Sequence, residues 1–558
     1  MPIPDRRGIR SGSFRGLVAA IAVAAVAALV LTISHGAQRS PVPPRVAIRA
    51  ALRDPATAHT LLGSRWNRVS ATPLDNRLER VDFWASSQIV LEAAVSADGQ
   101  VVQSQNFRGE PVPYGDWLAY QPALLIGLSL VFLLMTLVAP WRRMRNLDAL
   151  AALSLVIPVV LFQHRYLDAS LLAAAPGIIY LIVRCAWRGL GPADRTAPST
   201  PLLTALASHR DPAWRVRWLQ VALVVLTLVF VMVGVSSPLA VDVTYAVMEG
   251  ATALIHGVLP YGHLPPGILH GDTYPVLSYA LYTPLALVEP VRSIWDSVDG
   301  AMAIAVVAAL VGAWAARRLV AGTRGRGRPS DAEEAGLRAA LAVLAFPPVL
   351  ITASTGTTDI VLAAMLGVAL LLWRRPATAS GMLAVAGWFK LAPFAAAPVL
   401  LAPLRGRRLA GALGALAAVS AAVLALVVAL GGLGGAGEMV RAISYQFTRG
   451  SVQSIWAALG IAWVQPIAQA CVLGLIAAAA VKLWHEPWLA TDRIRMAAIS
   501  AAILLALQLA ADYWAFLYVV WVVPLLCVSL LAPYIPARPR LERVPAMPSA
   551  PPAGALAA

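Results

Sequence analysis

Charge is scarce in this 558-residue sequence. Asp, Glu, Lys and Arg make up 13% of it, about half the share that soluble domains carry. Hydrophobic residues reach 59%, and the mean hydropathy is +0.71. Together these values exclude a soluble globular protein. Lysine is nearly missing: of 44 basic residues only Lys390 and Lys482 are lysine, which reflects genomic composition more than mechanism. Acidic residues number only 28, leaving a net charge of +16. A nucleic-acid partner would suit that excess, but the arginines stand in short clusters beside apolar runs, the arrangement that orients a membrane protein. Three cysteines, Cys185, Cys471 and Cys527, all fall inside or at the edge of apolar spans, so no extracytoplasmic disulfide is expected. No Gly-rich nucleotide-binding loop follows a predicted strand, and no internal repeat is evident.

What is present predicts an all-α polytopic membrane protein with a small α+β extracytoplasmic domain near the N-terminus. Residues 1–35 read as a cytoplasmic tail and signal anchor: Arg6, Arg7, Arg10 and Arg15 precede an apolar run from Gly16 to Ile33 long enough to cross a bilayer. Residues 36–117 form the longest polar stretch. Its arginines are offset by acids, so it can translocate. Arg45 to Leu62 reads as a helix, Leu78 to Trp84 and Gln88 to Val95 read as strands, and Asp98-Gly99 marks a hairpin turn. Residues 118–190 hold three expected spans, 191–217 a cytoplasmic linker, 218–532 the main transmembrane region and 533–558 a disordered Pro/Ala tail. The expected total is about twelve spans plus a hairpin, with both termini cytoplasmic. Residues 273–290 read as an interfacial helix, because a crossing there would put the basic run Arg317 to Arg328 outside. Residues 377–404, basic on both flanks, read as a hairpin with Lys390 near its tip.

The chain is organised around Asp242 to His256. As a helix, it places Asp242, Tyr245, Glu249, Thr252 and His256 on one face, with Val243, Val247, Leu254 and Ile255 elsewhere. Positive-inside counting puts this helix at the outer surface. Asp242 is the candidate catalytic base, and Glu249 a second carboxylate; helix capping and a solvated face are their plainer readings. Lys390, a cation inside an apolar hairpin, reads as functional, because such a charge is costly unless paired. Arg441 and Arg449 are candidate phosphate contacts or interfacial anchors. His263 joins them as a candidate, although the spacing of His256, His263 and His270 fits no zinc site. Tyr245, Tyr261, Tyr274, Gln453 and Ser454 are candidate substrate contacts. Asp359 reads as a helix cap, with cation binding as the alternative.

Several of these elements occur in an order that resembles a family. Asp242 after a span, Gly257-Val258-Leu259-Pro260-Tyr261, Tyr274-Pro275 leading to Tyr279 and Pro284, Phe389-Lys390-Leu391-Ala392-Pro393, Arg449 to Ser454, and Asp512-Tyr513-Trp514 before Trp521 and Pro524 together look like the GT-C superfamily. The nearest branch is glycosyltransferase family 87, the actinobacterial mannosyltransferases that use polyprenyl-phosphate mannose, over roughly Trp218 to Leu531. Val276 and the Thr355 to Thr358 loop depart from the pattern. The resemblance implies a multi-pass plasma-membrane enzyme that moves a sugar, foremost mannose, from a polyprenyl-phosphate donor to an envelope glycan, glycolipid or protein. Transfer is extracytoplasmic and inverting. By position Asp242 would be the base, and Lys390 and Arg449 would meet the donor phosphate. No cofactor is implied, and a divalent metal is left open. The competing class is a transporter or flippase of lipid-linked glycan, whose charges would gather at the bilayer midplane.

Overall fold

The computed structural model describes residues 42–62, 64–73, 78–86, 88–110, 118–163, 166–192, 200–235, 237, 240–264, 271–292, 296–322, 329–448 and 453–531. The expected signal anchor and C-terminal tail lie outside them.

Near the N-terminus two helices, Pro44–Arg53 and Pro55–Leu62, replace the single expected helix. Asp54 is extended (ψ 124°), as a residue before proline tends to be, and its carboxylate accepts the Thr57 N–H at 2.8 Å to cap the second helix. They pack on a four-stranded antiparallel meander of β1 (Arg68–Pro73), β2 (Leu78–Ala85), β3 (Gln88–Ser96) and β4 (Val101–Glu110). Ala47 and Ala51 meet Val81, Phe83, Leu91 and Val95 in a core separate from that of the membrane helices. Gly99, at φ 78°, supplies the left-handed residue that the β3–β4 turn requires.

The rest is helical. Among the described residues seven helices are long and apolar enough to cross a membrane: Met144–Phe162, Leu167–Leu190, Pro212–Gly234, Asp299–Ala321, Gly406–Phe447, Ala462–His485 and Arg493–Ala510. Ser330–Leu344 and Pro347–Ala353, bent by 59°, make an eighth if counted as one span. One of the twelve expected spans, the signal anchor, lies outside the described residues, and others are shorter or broken for local reasons. Pro347 and Pro348 cannot continue a helix, so the apolar run from 337 to 352 breaks. The run at 360–373 yields Thr358–Leu371, whose 14 residues reach about 21 Å, short of the ~30 Å core. Around Pro524 the last run divides into 3-10, α and π turns between Phe516 and Leu531. Hydropathy registers apolar length but not these breaks.

Arg493–Ala510 and Asp299–Ala321 are central, with 78% and 56% of their apolar windows buried, whereas Gly406–Phe447, at 11%, lies on the rim. That rim helix continues to Thr448, so Arg441, Tyr445 and Gln446 are helical rather than on the expected loop. Gly432, at φ 61°, kinks it.

The bundle has two chemically distinct ends. At one, Arg317, Arg318, Arg374 and Arg405 to Arg408 stand at helix ends beside Lys482, Arg493 and Arg495; the Trp373 indole donates to Ala490 O at 2.8 Å, and Arg405 to Trp484 O at 2.7 Å. At the other, Asp299 and Asp359 open their helices and Asp512 follows Arg493–Ala510. Helix Pro376–Phe389 runs from the arginine end, and its 14 residues carry Lys390 about 21 Å away from it. A 3-10 turn, Ala392–Ala396, and a short helix, Ala397–Leu401, lead back. Residues 273–290 form two short helices, Val276–Ala280 and Thr283–Ala286, instead of one.

Candidate functional site

The site begins with helix Asp242–Ile255. Asp242 is exposed, and one of its oxygens accepts the Val243 N–H at 2.8 Å. Of the face shared with Asp242, His256 at the far end is also exposed, but the middle is not at the water surface. Tyr245, Glu249 and Thr252 are buried, because the helix packs on Val276–Ala280 and Thr283–Ala286. Thr252 Oγ1 accepts the Val291 N–H at 3.0 Å and donates to Met248 O at 2.9 Å. A Cβ on Gly250 would lie 2.2 Å from the Tyr279 ring, so glycine is what lets that ring seat on the helix.

Tyr279 in turn holds the loop before it. Its hydroxyl donates to Gly271 O at 2.8 Å and accepts the Tyr274 N–H at 3.2 Å. The Tyr261 hydroxyl donates to Tyr274 O at 3.2 Å, and the Gln446 amide donates to Thr273 Oγ1 at 2.9 Å. Tyr274 is therefore fixed from three sides. Burial pushes its phenol well up, and the charge of Asp242, followed by Tyr518, Asp359 and Tyr279, pushes it further. It stays protonated and can donate a hydrogen bond.

The opposite wall is an ion pair. Thr244 of the Asp242 helix donates to Thr355 O at 2.7 Å, latching that helix to the turn before helix Thr358–Leu371. Gly356 is required there twice over: φ is +70°, and a Cβ would stand 2.8 Å from Met302 Sδ and 2.9 Å from Thr244 Cγ2. Asp359, in the first turn of the helix, is fully buried and accepts from the Lys390 ammonium and, at 2.6 Å, from the Trp521 indole. The Ser278 hydroxyl donates to Phe389 O, fixing the residue before Lys390. Tyr274, Tyr518 and Trp521 surround the ammonium at 5.8, 5.2 and 5.4 Å from their ring centres. The Asp242 charge thus acts on a phenol that also walls the buried ion pair.

The other candidates are scattered around this centre. Tyr261 is buried, while His263 is exposed with Nδ1 2.8 Å from Tyr261 O. Arg441 is exposed on the kinked rim helix. Arg449 and His270 lie outside the described residues. Gln453 pairs by its backbone with Tyr513 and accepts the Trp514 N–H at 2.8 Å; its side-chain amide nitrogen is buried without a hydrogen-bond partner among the described residues. The Ser454 hydroxyl accepts the Ala457 N–H at 3.0 Å and caps a short helix. Glu249 is set apart from the ion pair. Both of its oxygens are buried with no hydrogen-bond partner among the described residues, and burial, then the charge of Asp296, raises its pKa to about 8. Its protonated form is therefore favoured around neutral pH. No cluster of three or more His, Cys, Asp or Glu side chains able to hold a metal occurs among the described residues.

Sequence reasoning missed the roles of Asp359, Tyr518 and Trp521. One signal was available: a lysine deep in apolar surroundings needs a counter-charge, and Asp359 is an acid at the mouth of an apolar helix.

An apolar helical bundle with a polar, aromatic centre at one end and arginines at the other is a multi-pass membrane protein. The model of Glycosyltransferase family 87 matches residues 273–511. That match supports assigning the chain to family 87, and a member of that family is a membrane glycosyltransferase. The match includes Tyr274, Asp359, Lys390 and Gln453; the Asp242 helix precedes it and Trp521 follows it. No curated protein matches the chain, and no solved structure does.

Two measurements follow from this geometry. Lys390→Met strands a buried carboxylate and Asp359→Leu a buried ammonium, so each should cost about 3–5 kcal/mol, while the double replacement should recover most of the loss. Unfolding of the detergent-purified variants checks this, and additive losses would show the pair to be uncoupled. Glu249 has a folded pKa of about 8 against an ordinary 4.5. The folded state therefore holds the proton more tightly than the unfolded chain does. The resulting stability is fully present below pH 4.5 and lost as pH rises through about 8. The melting temperature should fall across that upper range, and Glu249→Gln should flatten the fall.

Proposed function

We propose that this glycosyltransferase moves a sugar, foremost mannose, from a polyprenyl-phosphate donor to an envelope glycan, glycolipid or protein acceptor, with inversion and with Asp242 as the general base. The observation that carries the reading is the buried Lys390–Asp359 pair walled by Tyr274, a phenol on which the charge of Asp242 also acts, within a chain whose residues 273–511 match glycosyltransferase family 87. Of the three carboxylates near the centre only Asp242 suits a base. Asp359 is sealed and neutralised by Lys390, and Glu249 is protonated at neutral pH.

In this reading Asp242 removes a proton from an acceptor hydroxyl as its oxygen attacks the anomeric carbon. The bond from that carbon to the phosphate oxygen breaks, and the electron pair leaves with the lipid phosphate. Lys390 has three N–H donors. Asp359 takes one, fixing the ammonium so that another meets the phosphate oxygen as negative charge develops. Arg449, Arg441 and His263 are the candidates for further positive charge at the phosphate, and Tyr274 and Tyr261 for holding the sugar. The arginine clusters at the far end favour an extracytoplasmic site in the plasma membrane by the positive-inside rule.

A buried lysine–carboxylate pair is also a mark of transporters, which favours a lipid-glycan flippase as the second reading. The two separate in one assay. Purified protein given a panel of radiolabelled polyprenyl-phosphate sugars should release polyprenyl phosphate only when an acceptor is present; translocation of the intact lipid without release would support the flippase. In the same assay Asp242→Asn should lower transfer by about 10²- to 10⁴-fold. Its melting temperature should stay unchanged, because the side chain is exposed. Substantial retained transfer would remove Asp242 from the role.

A further inference from the structure

The arginine end contains a corner that the transfer chemistry does not use. Helix Thr358–Leu371 ends there in Leu372–Arg374, and helix Arg493–Ala510 begins there. The two segments are joined by the Trp373 indole on Ala490 O at 2.8 Å and by Arg493 reaching Leu371 O at 3.5 Å. Arg374 and Arg493 consequently lie close enough for their charges to repel. Among the described residues the buried Arg493 Nε has no hydrogen-bond partner, and no carboxylate comes within ion-pair distance of either arginine. The nearest acid in sequence, Asp492, accepts the Ile494 N–H at 2.9 Å and faces Arg495 at 3.8 Å.

Three unfavourable terms therefore meet at Arg493. It faces a like charge, it has a buried donor left without an acceptor, and it stands in the first turn of a helix, where the backbone dipole disfavours a cation. One bound anion relieves all three. A phosphate supplies both the charge and several acceptors in the fork geometry of a guanidinium.

The surroundings indicate where that phosphate comes from. Trp484 and Trp488, at the same end, are 51% and 59% exposed, and the Arg405 guanidinium lies 3.6 Å from the ring centre of Trp484. Exposed indoles and arginines at the ends of apolar helices mark the depth of lipid headgroups. We propose that Arg374 and Arg493 together form a binding site for the phosphate of an anionic phospholipid, on the face opposite the glycosyl-transfer centre.

The test uses the full chain in detergent. Phosphatidylglycerol should raise the melting temperature more than phosphatidylcholine does, and inorganic phosphate at the same concentration should not. The rise should disappear in the Arg374→Gln, Arg493→Gln double variant and persist in Arg407→Gln, Arg408→Gln, which removes two exposed arginines from the same end. Equal loss in both double variants would overturn the proposal in favour of diffuse surface charge, and an equal rise with inorganic phosphate would overturn the lipid as ligand. If the first double variant does not fold, native mass spectrometry of the unaltered protein decides. Retained phosphatidylglycerol in preference to phosphatidylcholine supports the site, and no preference overturns it.

Discussion

The ion pair of Lys390 and Asp359 is the constraint around which the polar end is arranged. An ammonium and a carboxylate withdrawn from water are tolerated only with close geometry and further hydrogen bonds. The chain supplies both. Trp521 donates to the same carboxylate, three aromatic rings surround the ammonium, and Ser278 fixes the carbonyl next to Lys390 in the chain. These groups come from several segments, so the pair joins helix Thr358–Leu371, the 376–401 hairpin, the 274–286 region and the final apolar run into one unit. The second Asp359 oxygen, buried without a hydrogen-bond partner among the described residues, leaves the pair incompletely satisfied. Such a deficit is more readily kept at a working site than in a purely structural core.

Small residues determine whether this unit can form. Gly250 admits the Tyr279 ring, and that ring holds the loop presenting Tyr274; Gly356 makes the turn that both receives Thr244 and launches Asp359. These two close approaches, one on each side, fix the Asp242 helix relative to the ion pair. The helix is held by packing and a side-chain latch rather than by its own amphipathicity. That explains why its middle, Thr244 to Thr252, is buried although its polar residues share a face.

The legible parts of the fold and site were those whose cost is local. A cation in an apolar run is expensive wherever its partner is, so Lys390 stood out. Its partner did not, because an aspartate at a helix start has a simpler local explanation and lies 31 residues away. Helical period correctly grouped Tyr245, Glu249 and Thr252, but period cannot say which way a shared face turns, and this one turns inward. Several apolar runs read as single spans are broken at proline, and Arg441 to Gln446, read as loop, are helical beyond the kink at Gly432. Ser454, a candidate substrate contact, also caps a short helix through its hydroxyl oxygen, a second duty that its sequence position did not reveal.

The boundary of the family match gives the division of labour its final form. The matched segment, 273–511, carries Tyr274, Asp359 and Lys390, the aromatic and charged elements of the centre, whereas Asp242 arrives on a helix that precedes it. Under the proposed mechanism a lipid phosphate and a sugar are recognised by groups that must be mutually fixed, and the candidates lie on elements joined by the ion pair. In the same mechanism a base needs only to reach one proton on the acceptor, which suits Asp242, exposed at the start of its helix. Under the proposed mechanism, acceptor choice can then change through the Asp242 helix and its surroundings while the donor-binding centre keeps its geometry. The Thr244 hydroxyl on Thr355 O is the joint between the two parts.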